Sequence, residues 1–297
     1  MTLIVSRVVN RQIKIISDSK VTDQNVVRNN PLMGNLKSFI LNPQLAVSFS
    51  GNVHYAEKFL SIYFSNQIKT FNDLKYCCLA LNNESDDKTD FIIASLTDKP
   101  SLHKITNGRI EDNLTNAWIG DKVGFNKYQG YFHTSNSNNV FSKMTSAFNK
   151  VISDESIESV SDFQITVDTV YHDKLNADFF IYAMNMSMNL APQSHELKLD
   201  KGKNKVSVKI PFGGPEIGSF GSSYLRSYDF LKPAIAIHFP QGKFGVLFCP
   251  MISFNKGIII KEQDGETFAQ KIKDVYDIPL EGLVASQGFA IKRIVIK

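Results

Sequence analysis

Met1-Thr2-Leu3-Ile4-Val5-Ser6-Arg7-Val8-Val9 opens the chain, and Gln12-Ile13-Lys14-Ile15-Ile16-Ser17-Asp18-Ser19-Lys20-Val21 follows after Asn10-Arg11. Both runs are rich in β-branched residues, and the short polar break between them reads as a hairpin turn. Asp18 falls within the second run, where an unpaired carboxylate would be costly if buried, so it asks for a partner. Thr2 is the other residue of interest. If Met1 is removed, Thr2 carries a hydroxyl nucleophile and a free α-amine together, and a threonine paired with its own amine is a known activated nucleophile. Taken alone, a second-position threonine is an ordinary exposed terminal residue.

Working outward, a polar loop over residues 23–35 leads to Lys37-Ser38-Phe39-Ile40-Leu41, a turn at Asn42-Pro43, and Leu45-Ala46-Val47-Ser48-Phe49. This is a second hairpin. It ends at Ser50-Gly51-Asn52, with Asn52 as helix N-cap and Val53, Ala56, Phe59, Leu60, Tyr63 and Phe64 on one helical face. Gly51 thus stands between a strand end and a helix start, where an outward N–H favours an anion. A shorter helix spans residues 71–81. Strands follow at Phe91 to Leu96, Leu102 to Ile105 and Ala117 to Asp121, with a turn at Asn107-Gly108. Hairpin-built strand groups enclosing helices predict stacked layers rather than alternating β-α-β units. The expected fold class is α+β, a four-layer α-β-β-α sandwich.

The 297 residues are 43% apolar and 11% aromatic, which suits a globular chain with a large core. A formal charge of +4, from 33 basic and 29 acidic side chains, is spread without the basic stripe of a nucleic-acid groove, so no nucleic-acid partner is expected. Cys77, Cys78 and Cys249 form neither a disulfide framework nor a metal pair, and a cytoplasmic location is expected. No apolar run reaches the ~18 residues of a spanning helix, so no membrane partner is expected. The six histidines, His54, His103, His133, His172, His195 and His238, are scattered without metal-ligand spacing; neither metal nor cofactor is expected. No Gly-x-Ser-x-Gly elbow marks a Ser-His-Asp hydrolase.

The joint spacing resembles that of the N-terminal nucleophile hydrolases, and within them the proteasome β-subunit family. Asp18 stands as far from Thr2 as that family's motif aspartate stands from its nucleophile. Lys37 comes three residues later than the usual lysine, yet Lys37 and Ser50-Gly51-Asn52 keep the family's mutual separation, as a short loop insertion between Asp18 and Lys37 would produce. Trp118-Ile119-Gly120-Asp121 resembles the Ile-Gly-Ser-Gly stretch, with Asp121 in place of a serine. After an apparent insertion over residues 133–150, a helix reads from Ile157 to Asp173, then a strand Phe179 to Ala183. Asp173 matches the family's aspartate, whereas Asn176-Ala177 replaces its Ser-Gly pair. The likeness spans roughly residues 2–187.

The resemblance implies a set of roles. The Thr2 amine takes the hydroxyl proton; Thr2 attacks an amide carbonyl; Lys37 disfavours protonation of the amine by like-charge repulsion and stabilises the alkoxide; Asp18 holds Lys37. Gly51 gives a backbone N–H to the oxyanion. Asp121, Asp173 and Asn176 form an outer group near the amine, where the Asp121 carboxylate opposes Lys37. The implied activity is an N-terminal threonine amidohydrolase acting on a peptide or other amide, and ring assembly, common in the family, makes a homo-oligomer an expectation. The alternative is a proteasome-like scaffold without catalysis, serving assembly or interaction. Read alone, Asp18 and Lys37 are an ion pair at a hairpin end and Gly51 a turn glycine.

Residues 1–190 are read as this core and 191–297 as a β-rich C-terminal extension that completes or flanks it. Strands are expected at Val206 to Ile210, Ala234 to Phe239, Phe244 to Phe248, Ile258 to Lys261 and Ala290 to Ile296, with one helix from Thr267 to Tyr276 and a turn at Pro240-Gln241-Gly242. Glycine-rich stretches at residues 213–215 and 218–223 read as loops, since no strand-to-helix Gly-x-Gly-x-x-Gly pattern accompanies them.

Overall fold

The computed structural model describes residues 2–19, 35–154, 156–157, 159–160, 164–183, 193–201, 204–212, 223–240, 243–285 and 291–297. Met1, the loop from residue 20 to 34, most of the glycine-rich stretches and Gln241-Gly242 of the expected turn lie outside the described residues.

The opening hairpin forms as its β-branched runs predict: β1 (Leu3–Val9) pairs antiparallel with β2 (Gln12–Asp18), Ile4 opposite Ser17. The second hairpin is β3 (Ser38–Asn42) with β4 (Leu45–Ser50). Next come α1 (Val53–Phe64), α2 (Phe71–Glu84), β5 (Asp90–Ser95), β6 (Ser101–Thr106), β7 (Arg109–Leu114) and β8 (Asn116–Gly120). Two helices follow, α3 (Lys122–His133) and α4 (Val140–Ile152), and then β9 (Gln164–His172) and β10 (Ala177–Ala183). One sheet has the order β10-β9-β2-β1-β8 and a second the order β3-β4-β5-β6-β7.

Side-chain alternation along these strands sorts residues into separate cores. On β1, Ile4 joins a large cluster with Phe39, Val47, Phe49 and Phe91 of the second sheet, and with Phe59, Leu60 and Leu74 of α1 and α2. Its neighbours Leu3 and Val5 join Ile16, Tyr128, Met144, Phe148 and Val151, so the other face of the first sheet packs against α3 and α4. A period of two along one strand therefore serves two cores.

The C-terminal part adds β13 (Ser223–Ser227), β14 (Ile235–Phe239), β15 (Phe244–Phe248), α5 (Pro250–Ser253), β16 (Ile258–Ile260), α6 (Gly265–Tyr276), β17 (Leu280–Ala285) and β18 (Ile291–Ile296). These strands form a sheet of order β16-β15-β14-β13-β17-β18, while β11 (Gln193–Lys201) and β12 (Asn204–Phe212) pair as a separate ribbon. The same alternation recurs here. Ile235, Ile237, Phe239, Val246 and Phe248 enter the large core of the first two sheets, whereas Ala236, Leu247 and Cys249 pack with Phe268, Ala269 and Ile272 of α6. The last third of the chain is thus joined to the rest by a shared core. The described residues contain a mixture of helix and strand, with six helices and several sheets.

Residues 133–150, read from sequence as an apparent insertion relative to the family, hold most of α4, whose buried Met144, Ala147, Phe148 and Val151 recur at helical spacing. One sequence reading is corrected. The helix expected from Ile157 to Asp173 is replaced, from Gln164 onward, by β9, which pairs with β2 from Asp18↔Gln164 to Lys14↔Asp168. The density of β-branched residues in Ile165-Thr166-Val167-Asp168-Thr169-Val170 favours the strand, and pairing beside β2 decides it.

Candidate active site

Thr2 immediately precedes β1, Asp18 ends β2, and Lys37 immediately precedes β3, so the two hairpins deliver all three to one place. Lys37 Nζ lies 2.6 Å from Thr2 Oγ1 and 2.7 Å from Asp18 Oδ2, and the Thr2 hydroxyl also hydrogen-bonds Asp18 Oδ1. Asp18 Oδ1 accepts the Leu3 N–H at 3.1 Å. The Lys37 backbone is tied to the second sheet, where its carbonyl accepts the Phe49 N–H at 3.0 Å. Burial is nearly complete, with Asp18 0%, Thr2 3% and Lys37 4% exposed. An ammonium and a carboxylate persist out of water only when their hydrogen bonds are satisfied, and here the lysine gives one of its bonds to a hydroxyl. A cation at 2.6 Å from Oγ1 is placed to stabilise negative charge developing on that oxygen.

Gly120 lies directly against Thr2, and Gly51 follows Ser50, whose hydroxyl lies beside Gly120. Gly120 pairs with Leu3 at a φ of 105°, and a Cβ on it would come within 1.9 Å of the Thr2 carbonyl oxygen and 2.9 Å of Ser50 Oγ. No side chain fits there. Gly51, at φ 119°, is exposed beside the buried Ser50, and a Cβ on it would meet the Lys88 carbonyl oxygen at 2.1 Å. Gly51, the expected donor, stands in the turn between β4 and α1. Asn52 caps α1 as expected, accepting the His54 N–H at 3.0 Å.

Asp121 touches Thr2 through its backbone: its N–H donates to the Thr2 carbonyl at 2.6 Å. Its carboxylate faces the other way in chemical terms, because Oδ1 caps α3 by accepting the Gly124 N–H at 2.6 Å. A carboxylate at a helix N-terminus is stabilised by the amides and dipole of that helix, which accounts for an acid where the resemblance places a hydroxyl. Asp173 and Asn176 are not brought to this group. Both are exposed in the β9-β10 turn, and Asn176, at φ 47°, accepts a hydrogen bond from the Tyr171 hydroxyl. Since Gln164 is the β9 residue level with Asp18, Asp173 lies about 30 Å further along the strand at ~3.3 Å per residue.

The sequence reading did not single out the buried hydroxyls behind Lys37. Ser48 Oγ donates to Ser38 Oγ at 2.8 Å and Ser38 Oγ to Ser17 Oγ at 3.2 Å, all three fully buried, so a hydroxyl row links the two sheets. A partial signal was present in the sequence, since each serine sits in an apolar-rich strand run next to at least one large apolar residue, Ile16, Phe39 or Val47 and Phe49. A second polar row runs from Ser101 Oγ to His103 Nε2 (3.1 Å) and from His103 Nδ1 to Asp112 Oδ1 (2.6 Å). His103 sits where the β6-β7 register shifts, and its bond to Asp112 spans that break. This hydrogen bond, more than the nearby Lys75 ammonium, holds the Asp112 carboxyl below the usual carboxylate range. Among the described residues no group of His, Cys, Asp and Glu is placed to hold a metal ion, and no helix is long and apolar enough to cross a membrane.

No family model and no curated protein matches the chain. Among solved structures the chain is similar to eukaryotic HslV from Trypanosoma brucei, at 14% identity, with 56% of this chain and 98% of that chain covered and a TM-score of 0.43.

Proposed function

We propose that the chain is an N-terminal threonine amidohydrolase, with Thr2 as nucleophile once Met1 is removed. The observation that carries this reading is the buried triangle of Thr2 Oγ1, Lys37 Nζ and Asp18, assembled from three separate strand ends. The helices and sheets are read as a four-layer α-β-β-α stack, α1 and α2 on one side and α3 and α4 on the other. Residues 191–297 form a β-rich addition to a core of residues 1–190.

In this mechanism the freed Thr2 amine, directly or through water, accepts the Oγ1 proton as Oγ1 bonds to the carbonyl carbon of a peptide or other amide. Lys37 stabilises Oγ1 as it becomes anionic and opposes protonation of the amine, while Asp18 keeps the ammonium charged and aimed. The Gly51 N–H receives the carbonyl oxygen, a type of donor worth ~2.7 to 4 kcal/mol in the transition state. The proton then passes to the departing amine as the C–N bond breaks, leaving an ester on Thr2, and water cleaves that ester to restore the hydroxyl. Asp121 positions Thr2 through its backbone N–H. Asp173 and Asn176 take no part.

A second reading, a scaffold without catalysis that acts in assembly or interaction, is favoured by one observation: Thr2 is only 3% exposed. Hydrolysis of a panel of fluorogenic peptide amides separates the two. Turnover that disappears in Thr2→Ala supports the hydrolase; absence of turnover across the panel, in protein shown to have lost Met1, supports the scaffold.

A further inference from the structure

The start of β3 is held by the C-terminal part of the chain. The Leu36 N–H donates to the Asn255 carbonyl at 2.9 Å, Asn35 forms an antiparallel bridge with Lys256, and the Asn35 N–H donates to the Ser19 carbonyl at 3.0 Å. The turn that presents these groups is itself fixed. The Phe254 ring lies parallel to that of Phe64 on α1, with centroids 6.1 Å apart and planes 3° from parallel, and Lys256 Nζ reaches Glu57 Oε1 at 3.1 Å. Phe254 adopts φ 56° and ψ −118°, a conformation that a bulky side chain avoids unless its surroundings impose it. Asn255 is fully buried, and among the described residues neither its Oδ1 nor its Nδ2 has a hydrogen-bond partner, so the backbone around it sets its place.

We propose that Phe254-Asn255-Lys256 is a positioning clamp for Lys37, fixing the strand start from which the ammonium reaches Thr2 and Asp18. Lys37 follows Leu36 directly and has a long, flexible side chain, so the 2.6 and 2.7 Å contacts of its ammonium depend on where its backbone is held. The β4 strand holds it on one side and the clamp on the other. The catalytic consequence rests on the reading of Thr2 as nucleophile; the positional claim does not. A misplacement of about 1 Å can cost about a hundredfold in rate, which makes the C-terminal part a condition for activity at the opposite end of the sequence.

The test is lysine acetylation of the full-length protein by an N-hydroxysuccinimide ester, read residue by residue by mass spectrometry. Lys37 is expected to be protected in the wild type. In Phe254→Ala, which removes the ring without relieving the positive φ, it should gain at least about tenfold in labelling, the change that ~1.4 kcal/mol of lost ordering brings. Lys14, also buried but held by Asp168 at 2.6 Å, reports general loosening and should stay protected. Phe254→Tyr, which keeps the ring, should retain Lys37 protection. Unchanged Lys37 labelling in Phe254→Ala, or a parallel rise at Lys14, would overturn the clamp. In a second arm, Thr2 acylation by a β-lactone should slow at least about tenfold in Phe254→Ala, with its pH profile displaced upward as the amine loses the neighbouring ammonium. If wild-type Thr2 fails to acylate, the nucleophile reading falls while the labelling still decides the clamp.

Discussion

At the scale of the residue, Asp18 and Lys37 survive burial only as a pair. A carboxylate at 0% exposure and an ammonium at 4% are tolerable together and costly apart, because removing one partner strands the other in a poorly solvating interior. Lys37→Met or Asp18→Asn should therefore lower unfolding free energy by ~3 to 5 kcal/mol in urea titrations, an effect no exposed ion pair would produce. Little change in midpoint would show that the pair is not buried as described. Gly120→Ala tests the other contact on Thr2. Its Cβ would overlap the Thr2 carbonyl oxygen, so the variant should lose Thr2 reactivity, and fold less stably, even though no functional group is removed. Wild-type reactivity in that variant would mean that Thr2 is held less closely than the pairing indicates. The first hairpin sets the spacing of Thr2 and Asp18 locally, but Lys37 lies beyond a loop, and the three were legible as a set only through the family resemblance; read alone, Asp18 and Lys37 were an ion pair at a hairpin end. Asp121 could be located but its bonding could not: that its carboxylate caps α3 depends on the helix at Lys122–His133, which the sequence reading did not foresee.

At the scale of the element, boundaries written in caps and turns were legible and those decided by neighbours were not. The Asn52 cap and the apolar face of α1 are local signals, and the helix begins where they place it. The stretch after α4 carries apolar residues compatible with either period, and becomes β9 because β2 offers an unpaired edge to an ordered partner. That difference moves Asp173 and Asn176 to the far turn and removes them from the site. The helix α2 has a further local signal in its capping box, where Thr70 Oγ1 accepts the Asp73 N–H at 3.1 Å and Asp73 Oδ2 accepts the Thr70 N–H at 2.8 Å. Thr70→Ala should cost about 1 kcal/mol, seen as a fall of a few degrees in Tm, without altering Thr2 reactivity. A loss of reactivity in that variant would tie α2 to the site in a way its packing does not.

Across the whole molecule, alternation on single strands joins three cores into one body, and the C-terminal sheet contributes to the largest of them. His238 on β14 reports on that sheet. It is fully buried, with Nε2 3.0 Å from the Glu262 carbonyl oxygen, and burial holds its pKa below the ordinary histidine value, against the smaller opposing effect of that hydrogen bond and the Asp264 and Glu262 charges. Because the folded state resists protonation more than the unfolded state, the stability this group contributes is present above the unfolded pKa near ~6.5 and is lost as pH falls through the lower folded value. Unfolding free energy should thus decline below about pH 6.5, by no more than ~1.4 kcal/mol per pH unit for the single proton, and the decline should flatten in His238→Gln. An equal decline in the variant would assign the effect elsewhere.

Whether Thr2 is the nucleophile we propose is decided by intact-mass spectrometry of the purified protein before and after treatment with a β-lactone. The expected result is a mass lacking Met1 and a single added acyl group that is absent in Thr2→Ala and strongly reduced in Lys37→Met. A protein that has lost Met1 yet gains no Thr2-dependent adduct would contradict it.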